Sequence, residues 1–384
     1  MAETEILKTQ ICIVGAGPAG ASLALFLEKE KINHIILDAA SFPRDKICGD
    51  GLDLNSIAML NHIDPSILEK ELKDDGLFNP SWGFRLINPN GKTSEFTFVP
   101  EKGKEHQPPY AVTKRIDFDN LLINRFNPQF TTFLSETKAT KFEKLDTGWK
   151  IEAQQKNKSI NIYCNLLVGA DGDRSFVLKY VAERNINKEH YGAGLRQYWE
   201  AVEGLHEKNL LEVFFPKNNL PLSYFWIFPL GKGMANVGYV MISSVVQKNN
   251  FNIKEIFNDL IQNNPALKGR FKNAKPLEPV KGWGLPLASS KRQCYGDGWI
   301  LVGDAASFIC PTTGEGIGTG MRTSFIASKF IRNAIEQNKF DATVFKNYDR
   351  ELYKRMQGHI NTFNITQFIS PIMLGGWLKI LFIL

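Results

Sequence analysis

Six residues near the amino end, Gly15-Ala16-Gly17-Pro18-Ala19-Gly20, constrain this chain more than any other stretch. They follow an apolar run, Gln10-Ile11-Cys12-Ile13-Val14, that reads as a buried parallel strand, and they precede an Ala- and Leu-rich run, 21–29, that reads as a helix. A second apolar run, Ile35-Ile36-Leu37, ends in Asp38. Glycines between a strand and a helix allow a tight turn and let a pyrophosphate approach the backbone at the helix start. An acid ending the next strand accepts from a ribose hydroxyl. Gly15, Gly17, Pro18, Ala19, Gly20 and Asp38 therefore predict a Rossmann-like α/β unit with a parallel sheet that binds a dinucleotide. The pattern alone does not separate FAD from NAD.

Two more strand ends follow in order. Leu166-Leu167-Val168-Gly169-Ala170 leads into Asp171-Gly172, and Trp299-Ile300-Leu301-Val302 leads into Gly303-Asp304. After the last comes Pro311-Thr312-Thr313-Gly314-Glu315-Gly316-Ile317, then a helical run over 321–334. A carboxylate at the carboxyl edge of a sheet sits where open α/β sheets bind ligands. A glycine-rich helix start offers N–H groups and partial positive charge to an anion. The third segment thus supplies an acceptor for sugar hydroxyls and a cationic backbone end for a ring that becomes negative, as reduced flavin does. The loop leaving Asp38, Ser41-Phe42-Pro43-Arg44-Asp45-Lys46-Ile47-Cys48-Gly49-Asp50-Gly51, has two readings: a solvated loop, or a cover over the cofactor. In the second, Arg44 and Lys46 lie near phosphate, and Cys48 and Gly49 near the reactive ring. Arg115, at a helix start, either reaches the cofactor or is a surface charge.

Between the second and third strand ends lie aromatic strand patterns over 192–202, 211–215, 223–228 and 235–240, with a helix over 253–263. This predicts a second domain with a largely antiparallel sheet, whose aromatic face forms an apolar substrate pocket. The expected division is 1–60, 105–185 and 285–340 for the dinucleotide unit, 61–104 and 186–284 for the substrate unit, and 341–384 for a helical, apolar tail. A single helix is expected over 55–73, a hairpin over 131–162, and a return to the first unit at 283–287.

Composition closes off other classes. The net charge of +6 comes without a dense Lys/Arg run, so nucleic acid is not an expected partner. The 5 cysteines are scattered without metal spacing, which predicts no metal, reduced thiols and a cytoplasmic setting. Residues 368–384 are apolar but short and interrupted by Pro371 and Gly375-Gly376, too short for a membrane-spanning helix. They either pack on the fold or lie in a bilayer interface as a peripheral contact.

The ordered triple of strand ends resembles the flavoprotein class built like para-hydroxybenzoate hydroxylase. Pro43 to Leu52, Tyr224-Phe225-Trp226-Ile227-Phe228-Pro229 and Ala235-Asn236-Val237-Gly238 look like its geranylgeranyl reductase branch, with the flavin-dependent halogenases as cousins. The halogenase signature is present only as Tyr224, Trp226, Phe228 and Pro229, and the run 319–324 departs from the usual third-motif pattern. The resemblance implies FAD held by Gly15, Gly17, Gly20, Asp38, Arg115, Asp171, Asp304, Gly314 and Gly316, with no separate nicotinamide domain. It implies FAD-dependent reduction of isoprenoid double bonds, with NADPH or NADH as electron donor. An oxygen-using hydroxylase or halogenase and a catalytically silent flavin-binding protein are the alternatives. Trp226, Phe228 and Pro229 are then the expected substrate pocket. Cys48 is the expected proton donor, with Tyr224 as its rival, or else Cys48 packs behind its loop.

Overall fold

The computed structural model describes residues 4–99, 107–185, 187–216 and 223–366. The apolar stretch 368–384 lies outside the described residues. The amino-terminal strand Glu5–Val14 pairs in parallel with His34–Leu37 on one side and with Lys158–Gly169 on the other. Thr131–Leu134 and Trp299–Leu301 extend this parallel sheet outward. Ile11, Cys12 and Ile13 are 0 % exposed at its centre. Burying a side chain such as isoleucine contributes about 1.5–3 kcal/mol. Three strand ends, at Val14, Gly169 and Leu301, thus lie side by side at the carboxyl edge, the edge that binds ligands in this class of sheet.

The expected hairpin over 131–162 is instead one parallel edge strand followed by an antiparallel ribbon. Thr137–Lys144 pairs with Trp149–Gln155, which pairs with the first half of Lys158–Gly169. Two tight turns make this possible, with Gly148 at φ 89° and Lys156 at φ 49°. The long strand alternates in burial over its first half and is fully buried over its last four residues. That is the change expected as a strand passes from an antiparallel ribbon into a covered parallel sheet.

The second sheet runs Lys275–Pro276, Tyr191–Glu200, Met234–Ile242, Tyr224–Gly231, Leu211–Phe214, Gly83–Ile87, Thr93–Thr97. All its pairs are antiparallel except Leu211–Phe214 with Gly83–Ile87. Helix Ile253–Asn263 covers one face, burying Phe257, Leu260 and Ile261 with Trp199, Phe225 and Tyr239. Strand period two puts Phe225 and Ile227 on that face, while Trp226 on the other lines a large cavity. Lys281–Pro286 pairs antiparallel with Tyr191 to Arg196, so residues 283–286, where the return to the first unit was expected, still belong to this second sheet.

Helices complete the first unit. Asp64-Pro65 splits the single helix expected over 55–73 into Leu54–Ile63 and Ser66–Glu71, because proline cannot supply the hydrogen bond a helix interior needs. Ile63, Ile67, Leu68 and Phe78, placed by the sequence division in the substrate unit, pack in the core of the parallel sheet. The longest helix among the described residues, Ile317–Glu336, crosses Pro18–Lys29 closely. A Cβ added at Gly320 would lie 3.5 Å from both Ala19 Cβ and Gly303 Cα, and Ser324 Oγ donates to the Ala19 carbonyl at 2.7 Å. The small residues of 319–324, an oddity in the sequence, are what permits this close crossing.

Candidate flavin site

Both sheets contribute to one cavity of about 450 Å³, within the usual range for ligand sites. Its floor is the carboxyl edge of the parallel sheet. Gly15 adopts φ 104°, and a side chain there would run into the Ala170 carbonyl of the neighbouring strand end. Gly20 packs directly beneath the Gly15 carbonyl, outside the cavity lining but required for the turn. Helix Pro18–Lys29 begins at Gly17 with no side-chain cap, and helix Ile317–Glu336 begins at Gly316 with none. Both helix starts line the cavity, at Gly17, Pro18, Ala19 and at Gly314, Gly316, Ile317. Unpaired N–H groups and the positive dipole end face the same space.

The acids are placed differently from one another. Asp38 accepts from the Ala16 and Ala40 N–H groups, both at 2.8 Å, and keeps lone pairs for a ligand in the cavity it lines. Asp304 lines the cavity, and burial pushes its carboxyl up, opposed by the Lys46 charge. Asp171 is committed locally: it accepts from Ser175 Oγ at 2.5 Å and from the Phe176 and Val177 N–H groups at 2.6 and 3.1 Å. It caps helix Phe176–Tyr180, and Gly172 at φ 78° turns the backbone past the cavity.

Several cations line the wall. Arg115 meets Asp119 through Nε at 2.6 Å and Nη2 at 2.7 Å, and Arg44 Nη1 reaches the same carboxylate at 2.9 Å. Asp119 is 0 % exposed, so this acid holds two guanidinium groups against the site. Lys46 stacks 3.8 Å from the Trp283 ring centroid, and burial lowers its ammonium to about 8. Arg174 stands 5.5 Å from the same ring.

Cys48 and Gly49 line the cavity, with the Trp226 ring 3.6 Å from where a Cβ at Gly49 would lie. Burial pushes the Cys48 thiol up, partly offset by the Arg115 charge, so the sulfur is held protonated. Trp226 Nε1 donates to Asn236 Oδ1 at 2.9 Å, and Asn236 Nδ2 donates to the Cys48 carbonyl at 2.8 Å. The second sheet therefore grips the Cys48 loop from behind. Besides Gly20, four residues expected at the site stand outside the cavity lining. The Tyr224 hydroxyl donates to the Thr313 carbonyl at 2.5 Å, Phe228 packs against Gly49 and Gly51, the Pro229 carbonyl accepts from Asn79 at 2.8 Å, and Pro311 is buried in the loop before Gly314.

The sequence reading passed over Arg196, Trp283, Asn236 and Asp119. Arg196 is 1 % exposed in strand Tyr191–Glu200 and lines the cavity. A lone cation in that strand was the available signal. Asn236 stood in the motif Ala235-Asn236-Val237-Gly238 without a role, and Asp119 showed only its i,i+4 spacing to Arg115, since their other partners lie far along the chain. Among the described residues no group of three or more His, Cys, Asp or Glu could hold a metal ion, and no helix is long and apolar enough to cross a membrane.

Two uncapped helix starts, an acid at each of two strand ends and the wall cations fit a dinucleotide with a pyrophosphate, a ribose and a ribityl chain. Comparison with known proteins agrees. The chain is 28% identical over 367 residues to a digeranylgeranylglycerophospholipid reductase of Methanocaldococcus jannaschii, covering 94% of this chain and 87% of that protein. It is 25% identical over 332 residues to a menaquinone reductase of Mycolicibacterium smegmatis, covering 84% and 76%. The fold matches a geranylgeranyl bacteriochlorophyll reductase-like protein of Thermoplasma acidophilum with a TM-score of 0.81 at 22% identity, over 98% of this chain and 92% of that one. Residues 8–359 match the family described as FAD binding domain, and the chain belongs to that family.

Proposed function

We propose that this FAD-dependent oxidoreductase saturates carbon–carbon double bonds of an isoprenoid chain, with a nicotinamide dinucleotide as reductant. The names of its relatives support a prenyl-type substrate. The observation that carries the reading is Cys48: a thiol kept neutral by burial, in the cavity wall on the loop that Trp226 packs against. FAD, when bound and reduced, supplies hydride. Hydride addition to an isolated alkene leaves an unstabilised carbanion unless a proton arrives with it or before it. The chain must therefore hold an acid within hydrogen-bond reach of the substrate carbon. Cys48 has a proton to give and borders the cavity. Tyr224 is the weaker candidate, because its proton is engaged by the Thr313 carbonyl and burial holds its hydroxyl well above its ordinary range. Trp226, with its indole N–H fixed on Asn236, offers a flat apolar wall for a prenyl chain. The Lys46 and Arg174 charges flanking Trp283 suit the phosphates of a nicotinamide donor.

The test is anaerobic. Photoreduced protein mixed with polyprenyl lipids or quinones should reoxidise its flavin without oxygen. Cys48→Ala should accept electrons from the donor normally and slow the alkene step by about 10²–10⁴-fold. Reoxidation only when oxygen is admitted would reject the reductase reading. A Cys48→Ala protein as fast as wild type would reject Cys48 as the acid.

A further inference from the structure

A histidine that no step above uses holds the turn that brings Gly314 and Gly316 to the cavity. The Cys310 N–H donates to the Glu315 carbonyl at 2.8 Å, and the Gly314 N–H donates to the Cys310 carbonyl at 2.9 Å. These bonds close residues 310–315 into a turn that shifts as one body. Gly314 and Gly316 line the cavity and lead into the uncapped start of Ile317–Glu336. Thr312 and Thr313 do not line it, and side chains of two other elements take hold of them. The Tyr224 hydroxyl, from the second sheet, fixes the Thr313 carbonyl at 2.5 Å. His359 Nδ1, from helix Gln357–Thr366, meets Thr312 Oγ1 at 2.7 Å.

Cys310 Sγ completes a triangle, 3.3 Å from Thr312 Oγ1 and 3.5 Å from His359 Nδ1. Burial lowers the His359 imidazole below its ordinary range, opposed by Glu315, so the ring is neutral at pH 7. A neutral ring can accept the Thr312 proton at Nδ1 or donate from Nδ1 to that oxygen, and either tautomer keeps the bond. The histidine is itself firmly carried. Next to it Ile360 packs in the core of the parallel sheet. One turn on, Phe363 is 0 % exposed against Ile242, Leu287 and Ile309. Ile309 lines the cavity, so this helix bears on the cavity wall at two points, through Phe363 and through His359.

We propose that His359 is a positioning residue for the flavin: by fixing Thr312 it holds the Gly314 to Gly316 backbone against the cofactor and raises the cofactor's reduction potential. His359 does not line the cavity and acts only through Thr312 and the turn. A helix start carries partial positive charge, which favours a ring that has become negative over a neutral one. Dipoles of this kind stabilise charge only while they are kept in place, because a turn that must first be reordered gives back part of what it contributes. Displacing the turn therefore weakens reduced FAD more than oxidised FAD. The proposal needs FAD in the cavity and no particular substrate.

The experiment is an anaerobic redox titration of the holoenzyme against reference dyes, with no substrate present. His359→Leu keeps bulk in the helix and removes the nitrogen. Reduced FAD should then lose at least tenfold more affinity than oxidised FAD, so the midpoint of this two-electron couple should fall by about 30 mV or more. Thr312→Val removes the hydroxyl at the other end of the bond and should give the same fall. Residues that act through one bond are not additive, so the double variant should fall no further than either single one. His359→Asn places an amide atom where Nδ1 stood and should recover most of the wild-type potential. A histidine with a merely structural role would weaken both redox forms alike, so FAD would leave faster at an unchanged midpoint, and that result overturns the proposal. Falls that add in the double variant overturn it too, as does a His359→Asn protein that behaves like His359→Leu. If His359→Leu does not retain FAD, Thr312→Val decides, and an unmoved midpoint there overturns the proposal. No step of this experiment involves an alkene, so its failure leaves the reading of Cys48 standing, and a Cys48→Ala protein as fast as wild type leaves this one standing.

Discussion

Asp119 shows how much of the site hangs on one buried side chain. Arg115 and Arg44 both pair with it, and neither its carboxylate nor most of Arg115 reaches solvent. Removing one partner of a buried ion pair strands the other charge, at a cost of about 3–5 kcal/mol. Asp119→Ala should therefore lower the urea midpoint of the apoprotein by a corresponding amount and loosen FAD. A loss under about 1 kcal/mol would mean that the guanidinium groups find water readily. At this scale the glycines and the strand-end acids were legible in the sequence, because a tight turn at Gly15 and an acceptor at Asp38 are local requirements. Asp119 was legible only in part: its i,i+4 spacing to Arg115 is local, but the second guanidinium, Arg44, is distant in the chain and reaches it only on folding.

Helix crossings decide the next scale. Gly318 lies in the first turn of Ile317–Glu336, where a Cβ would meet Asp53 Oδ1 and the Ser56 nitrogen. Asp53 caps helix Leu54–Ile63, accepting from the Ser56 N–H at 2.9 Å and the Ser56 hydroxyl at 2.5 Å. On propensity alone Gly318→Ala should stabilise by about 1 kcal/mol. Displacing the cap costs about 0.5–2 kcal/mol, and forcing a methyl into packed backbone about 1–3 kcal/mol. A net loss of about 1–3 kcal/mol is expected, read from chemical denaturation, and a stabilised variant would refute the close crossing. The helices themselves were legible from periodicity, but their breaks and their contacts were less so. Pro65 split one expected helix, and the run 319–324 made sense only once Pro18–Lys29 lay across it.

At the scale of the whole molecule, an ionic clasp joins the two sheets over the cavity. Asp45 from the cofactor loop meets Arg196 Nη2 at 3.0 Å and Lys281 Nζ at 3.4 Å, both from the second sheet. Arg196 also pairs with Glu278, so it stays compensated without Asp45. Asp45→Ala should leave the melting of apoprotein nearly unchanged while FAD dissociates about fivefold faster, equivalent to about 1 kcal/mol for a partly exposed pair. Flavin fluorescence after dilution reads this directly, and high salt should mimic the variant by screening the pair. A release rate indifferent to both would reject the clasp.

By itself the sequence determined that this chain would build a parallel sheet whose strand ends hold a dinucleotide, and that an aromatic antiparallel sheet would stand beside it. Those features rest on backbone geometry and on hydrophobic period, which are properties of neighbouring residues. Only the tertiary structure decided how the cavity is closed and what its chemistry is. Trp226, Asn236, Tyr198 and Arg196 meet the loop of Asp45, Cys48 and Asp50 across separations of 148 residues and more. Their effect on the Cys48 thiol comes from burial, and how far water is excluded from a group is set by everything packed around it, which no local pattern records.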